Sequence, residues 1–535
     1  MAISTPELKF CAAALCVGMA LITSPVHAQK KGCEYRDIKF TEDGLDPFKP
    51  AESYSSKNSE LTLELNVKYA DHWIARCKVH HRSYNDLLTG PTLRLKPGDT
   101  LKLNIVNHLA PNIEPEDPSK PHDFNTTNFH THGLHVDPSG ISDNVLRKME
   151  PRKKVGDTAP SYKVKLKIPK DHPPGTFWYH AHVHGSTAIQ VSSGMAGALI
   201  IKGGLDDVPE IAAATDQILL FQQISYDNNG EIEDFDEIFG FDESGRDNWA
   251  EVLKRETTIN GQIVPVITMQ PGEVQRWRLI HGGIRETLMV HLTGHSLYEI
   301  SVDGLALGKC VRWDGMPEKR VELQPGYRSD VLVKAGEPGT YWLVDGETPA
   351  GDALMGVDER RKILAKVVVE GDLKDMRLPC DQDELKYLVP LNPITAEELD
   401  RGGRQKVVFC VCPVSGGVEF TVNGKSFDSE KNIRLLKLGS ADEWTLSTDE
   451  KSVAANHPFH IHVNPFQVQR KGPDGDLEWI WRDTILVKQK TRLGEQKLPI
   501  KIRSRYVRYT GDFVLHCHIL DHEDQGMMQV VRIVK

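Results

Sequence analysis

The chain has 535 residues, a formal net charge of −10 at pH 7, 39% hydrophobic residues and 26% charged ones. At about 150 residues per domain that length calls for several cores, and the composition is that of a soluble globular protein, not of a disordered one. The acidic balance is spread along the chain with no basic stripe or charged tail, which argues against a nucleic-acid footprint and a basic membrane-binding face.

In chain order, residues 1–28 come first and break the general composition. Lys9 precedes an apolar stretch from Phe10 to Ile22, and Val26-His27-Ala28 offers small residues where a signal peptidase reads. The stretch is short for a membrane span, which takes about 20 residues. The expectation is a cleaved export signal, a periplasmic or secreted mature protein, and no membrane association after cleavage. Of the nine cysteines, Cys11 and Cys16 leave with that segment. Cys33, Cys77, Cys310, Cys380, Cys410 and Cys412 remain as an even set for disulfides in an oxidising compartment. Cys410 and Cys412 share a face of a strand-like run, KVVFCVC, where bonding to each other would strain the backbone, so separate partners are expected.

The rest of the chain is built from short Val/Ile/Leu-rich runs punctuated by Gly, Pro, Asn and Asp, the signature of an all-β protein. A phrase recurs as RLKPGDTLKLNIVN from Arg94, MQPGEVQRWRLI from Met269 and LGSADEWTLS from Leu438. A second phrase follows each copy: PGTFWYHAHVHG from Pro174, PGTYWLVDGE from Pro338 and GDFVLHCHILDH from Gly511. This is a threefold repeat of Greek-key β-sandwich domains, with expected limits 29–203, 204–375 and 376–535. The middle copy of the second phrase has lost every histidine, so chemistry is expected where the first and third domains meet.

Histidines gather in four clusters: His130-Thr131-His132, His180-Ala181-His182, His457-Pro458-Phe459-His460-Ile461-His462, and His516-Cys517-His518 followed by His522 and Met527. One H-x-H in a strand puts two imidazoles on one face and is common in any core. Four together with a thiolate and a thioether suit copper, and a trigonal His₂Cys set with a weak axial Met is the arrangement of electron-transfer blue copper. Cys517, His522 and Met527 supply three such ligands, and His457 completes the set from an earlier strand. The other eight histidines match a three-copper cluster for dioxygen, and Cys517, lying between His516 and His518, gives a short covalent electron path to it.

These four clusters, their order and the three repeats resemble the three-domain multicopper oxidases of the laccase group, over essentially the whole mature chain. HCHILDHEDQGMM is most similar to bacterial laccases and related metal oxidases. The resemblance implies three cupredoxin-like domains and four copper ions per chain. It implies a type 1 copper on His457, Cys517 and His522 with Met527 axial, and a type 2 copper on His130 and His460. A type 3 pair would take His132, His180, His182, His462, His516 and His518. The partners implied are dioxygen and a small reducing substrate, and the implied state is a monomer. Reduction of dioxygen consumes protons, and Asp143 and Glu523 resemble the family's acids beside the type 2 and type 3 coppers.

His135 and His184 match no family position and read as structural; Trp178 and Tyr179 read as core aromatics, and His80, His81 and His291 as surface or loop positions. Electrons are expected to enter at a solvent-facing edge of His522 or His457. The axial Met implies a low-to-medium type 1 potential. Scattered methionines favour phenols or aromatic amines as substrate over a cuprous or ferrous oxidase or copper-tolerance role.

Overall fold

The computed structural model describes residues 45–535 except 116, 118–119, 228, 241–253, 382–383, 416, 454–455, 490, 493–494 and 497. The expected export signal, with Cys11 and Cys16, and Cys33 lie outside the described residues. No helix among the described residues is long and apolar enough to cross a membrane.

Alternation of apolar and polar residues sets the strands. Thr100–Asn107 and Ser161–Lys167 bury every second residue, as strands with one face on the core must. The large sheets pair into three sandwiches, each of which closes over its own apolar core. The same pairing scheme recurs in each. A long first strand runs parallel to the strand of the first recurring phrase: Glu60–Ile74 beside Thr100–Asn107, Thr215–Tyr226 beside Val274–His281, and Arg404–Val414 beside Ala441–Thr448. In the facing sheets, Gly175–His180, Gly339–Asp345 and Gly511–Cys517 each lie antiparallel to the last strand of their sandwich. Asp345 thus ends the strand that in the other two copies ends in a histidine or cysteine.

The sandwiches are pressed together by close backbone approach and buried charge. Gly175 abuts the carbonyl of Gly304, leaving no room for a Cβ. Trp178 of the first sandwich packs with Ile218, Leu220 and Ile280 of the second. Trp178 and Tyr179 are core aromatics, both fully buried.

Three expectations are corrected here. Cys410 and Cys412 do bond to each other: the backbone draws their Cα atoms to 5.1 Å, inside the span a disulfide tolerates. Cys310 pairs with Cys380, and Cys77 is also disulfide-bonded. His81 is not a surface residue. The long Glu60–Ile74 strand pairs across Cys77–Tyr84 and seals it inside, where Nδ1 donates to Ser193 O at 2.7 Å. His291 lies within the strand Leu288–Leu292, half-buried, because that strand sits between Val321–Leu323 and Gly339–Asp345.

Candidate metal centre

Short strands place the ligand-type side chains. His130–His132 pairs with Gly175–His180, setting His130 opposite His180. His457–Ile461 pairs with Gly511–Cys517, setting His460 opposite His516 and Phe459 opposite Cys517. Because alternate strand residues share a face, His516 and His518 look toward the first sandwich while Cys517 looks into the core of its own. The two halves meet ring on ring: His132 stacks on His460 at 3.8 Å and His130 on His462 at 3.9 Å between centroids.

In the larger cluster the hydrogen bonds fix which nitrogen of each ring is bare. A carbonyl oxygen can only accept, so Nδ1 carries the proton where it donates to Ala181 O from His180, to Asp483 O from His460 and to Cys517 O from His516, at 2.8, 2.8 and 2.9 Å. His130 Nδ1 faces Asp143 Oδ1 at 3.1 Å in the same way. Nε2 of His130, His180 and His460 is left buried without a partner. His516 Nε2 points at Nε2 of His182 and of His462, at 3.2 and 3.3 Å. His132 is turned the other way, with Nε2 toward Asp483 Oδ1 at 3.2 Å and Nδ1 unpartnered. The ligand atoms of His132, His180 and His518 lie within 4.8 Å of one another, and so do those of His460, His462 and His516. Burial first, and the neighbouring imidazoles second, push the rings of His130, His182 and His462 well below the usual histidine range, so they stay neutral with lone pairs free. Converging bare imidazole nitrogens of this kind are what a metal cluster with ordered outer partners requires.

The smaller site lies one residue away along the strand. His457 Nδ1 is 3.4 Å and His522 Nδ1 4.0 Å from Cys517 Sγ, and Ile519 N donates to the sulfur at 3.4 Å. Met527 is buried in the same core. Burial, with Asp521 and Glu523 nearby, drives the Cys517 thiol up, so its thiolate form needs a cation beside it. Imidazole and thiolate donors of this set suit copper. The expected solvent-facing edge is nearly closed: His522 is 2% exposed and His457 is fully buried, because Phe420 and Phe409 stand against them at 4.9 and 5.4 Å.

The two acids singled out from sequence are both buried against the cluster. Asp143 also accepts from Thr131 N and Oγ1, at 3.2 and 2.9 Å, and burial pushes its carboxyl up to about 7. Glu523 lies 3.8 Å from His182 Nδ1, and neither of its oxygens has a hydrogen-bond partner. His135 donates Nδ1 to Val463 O at 2.8 Å, and His184 packs on Phe427, both away from the cluster. Sequence reasoning missed Asp483, Thr484 and Arg328. Asp483 and Thr484 have one local signal, the charged pair Arg482-Asp483 between Trp481 and the apolar run Ile485-Leu486-Val487, and Arg328 has none.

Fold and site together define a copper-binding oxidoreductase of cupredoxin-like sandwiches. Family models described as multicopper oxidase match residues 66–205, 235–357 and 389–535. A multicopper oxidase of Staphylococcus aureus is 26% identical over 467 residues, covering 84% of this chain and 83% of that protein. A laccase of Bacillus subtilis is 22% identical over 495 residues, covering 84% and 89%. Among solved structures, a Pediococcus acidilactici laccase superposes with a TM-score of 0.69 at 22% identity, covering 92% of this chain and 94% of its own. A Campylobacter jejuni multicopper oxidase, described as a metallo-oxidase, gives 0.68 at 21%, covering 95% and 98%. The chain belongs to the multicopper oxidase family. It is an oxidase that passes electrons from a reducing substrate to dioxygen.

Proposed function

We propose that the chain is a laccase-like enzyme with one type 1, one type 2 and a pair of type 3 coppers, acting on phenols or aromatic amines. The observation that carries this reading is the pair of cages on one strand, with Cys517 facing one and His516 and His518 the other. His457, Cys517 and His522 would hold the type 1 ion with Met527 axial, and His130 and His460 the type 2 ion. His132, His180, His182, His462, His516 and His518 would hold the pair. When bound, copper supplies the one-electron steps that no side chain here can perform.

The chain's own groups do the rest. Phe409 and Phe420, both buried, screen the type 1 ligands from water. Asp143 and Glu523 hold protons next to His130 and His182. Asp143→Asn and Glu523→Gln should each slow turnover while leaving the blue thiolate band intact. Full activity with an unchanged pH profile in both variants refutes that role. The protein acts as an exported monomer with domain limits near residues 203 and 375; the pattern of residues 1–28 and the disulfide Cys310–Cys380 support an oxidising compartment.

The test is an absorption spectrum of copper-loaded protein followed by a phenolic dye precursor in air, without added copper. A blue band, a near-ultraviolet shoulder and dye turnover with oxygen uptake are expected. Activity only with Cu(I) or in excess copper overturns the phenol reading in favour of a metal oxidase, and a blue band without shoulder or oxygen uptake overturns the cluster.

A further inference from the structure

The middle sandwich offers no cluster histidine, yet one of its turns stands against the cluster. The turn around Gln324–Tyr327 is closed by Tyr327 N donating to Gln324 O at 2.9 Å. Gly326 there has φ +89°, and a Cβ on it would lie 3.0 Å from His132 Cε1 and 3.0 Å from His518 Cδ2. Two residues on, Arg328 is buried and places all of its guanidinium donors. Nε donates to Thr176 O at 3.3 Å in the first sandwich. Nη1 and Nη2 donate to Gly326 O and Asp303 O, at 2.8 and 3.0 Å, in the second. The fork then closes on both carboxylate oxygens of Asp483 in the third, at 2.8 and 2.5 Å. Arg482 and Asp303 pair behind it at 2.9 Å, so the buried charges balance.

Asp483 carries that constraint to the ligands. Its Oδ1 faces His132 Nε2 at 3.2 Å, its carbonyl accepts from His460 Nδ1 at 2.8 Å, and it accepts from Thr484 Oγ1 at 2.8 Å. Gly133, next to His132, packs so tightly on Arg328 and Asp483 that no side chain fits there. A bidentate arginine fork has a geometry that a single ammonium lacks.

We propose that Arg328 is a positioning residue of the copper cluster. Through Asp483 it fixes the orientation of His132 that turns Nδ1 inward, and it locks the three sandwiches together beside the cluster that the first and third share. The inference rests on the ligand reading above. Loss of such outer partners costs metal sites about 10- to 100-fold in affinity.

The test compares copper-loaded wild type with Arg328→Gln, Arg328→Lys and Asp483→Asn, and with Arg276→Gln as a control. Arg276 is an equally buried arginine of the same sandwich whose guanidinium pairs with Asp206 and Asp330, each at 2.5 Å, and bonds no histidine. Copper retention against a chelator, the near-ultraviolet shoulder, the type 2 electron paramagnetic resonance signal and the blue band are read on each. Arg328→Gln and Asp483→Asn should lose cluster copper about 10- to 100-fold more readily, with the shoulder diminished and the blue band kept. Arg328→Lys should recover part of the loss, and Arg276→Gln should keep all of the signals. If Arg328→Gln fails to fold, Arg328→Lys and Asp483→Asn carry the comparison. Wild-type retention in these variants, or equal loss in the control, overturns the proposal. Absence of the shoulder from wild type itself instead removes the ligand reading beneath it.

Discussion

Arg285→Met tests how the middle sandwich holds the helix that carries His522. Arg285 reaches across to Asp521, with Nε at 2.7 Å from Oδ1 and Nη2 at 2.5 Å from Oδ2, and Nη2 also donates to Phe239 O at 3.1 Å. The two side chains are 2% and 0% exposed, so water screens neither. Removing one partner of such a pair strands the other charge and costs about 3–5 kcal/mol. At about 2–4 °C per kcal/mol for a domain of this size, the melting temperature should fall by roughly 6–20 °C. Calorimetry of the copper-loaded protein measures it, with bleaching of the blue band as a second probe, because Asp521 adjoins His522. The double variant Arg285→Met/Asp521→Leu should be more stable than the single one, since it leaves no stranded carboxylate. A fall smaller than about 2 °C, or a double variant no better than the single, refutes the reasoning.

Met527→Leu should raise the type 1 potential in a redox titration, since a weak axial ligand that stabilises the oxidised ion is removed; an unchanged or lower value would contradict the axial assignment. Asp345→Asn should flatten the pH dependence of stability. Burial pushes the native Asp345 carboxyl up to about 7 from 3.8, so the folded state binds the extra proton and wild-type stability falls as pH rises between those values. The variant should therefore gain on wild type in thermal unfolding at pH above about 7 and gain little at pH below about 4, and a pH-independent difference would count against it.

The histidines and the cysteine that converge in the two cages were legible in the sequence because each is part of a short motif whose residues share a strand face or turn. The sandwiches were legible because alternation such as that of Thr100–Asn107 survives without tertiary context. Arg328 and Asp483 were not, being 155 positions apart in the chain with nothing local to link them. His81 and the closed edge of His522 misled for the same reason: the Glu60–Ile74 strand and Phe420 that cover them come from elsewhere in the chain. With Cys410 and Cys412 the shared face was read correctly, but the backbone contraction that lets them bond was not.

The division of the ligand set between the first and last sandwiches has a consequence for biogenesis. Translation delivers His130, His132, His180 and His182 long before His516, Cys517 and His518 exist. A first sandwich that folded alone would display half a nest of bare imidazoles, donors that suit zinc, iron and nickel as well as copper. Ring-on-ring closure by His460 and His462 is what ends that exposure. The whole cage therefore exists only once the third sandwich has folded against the first.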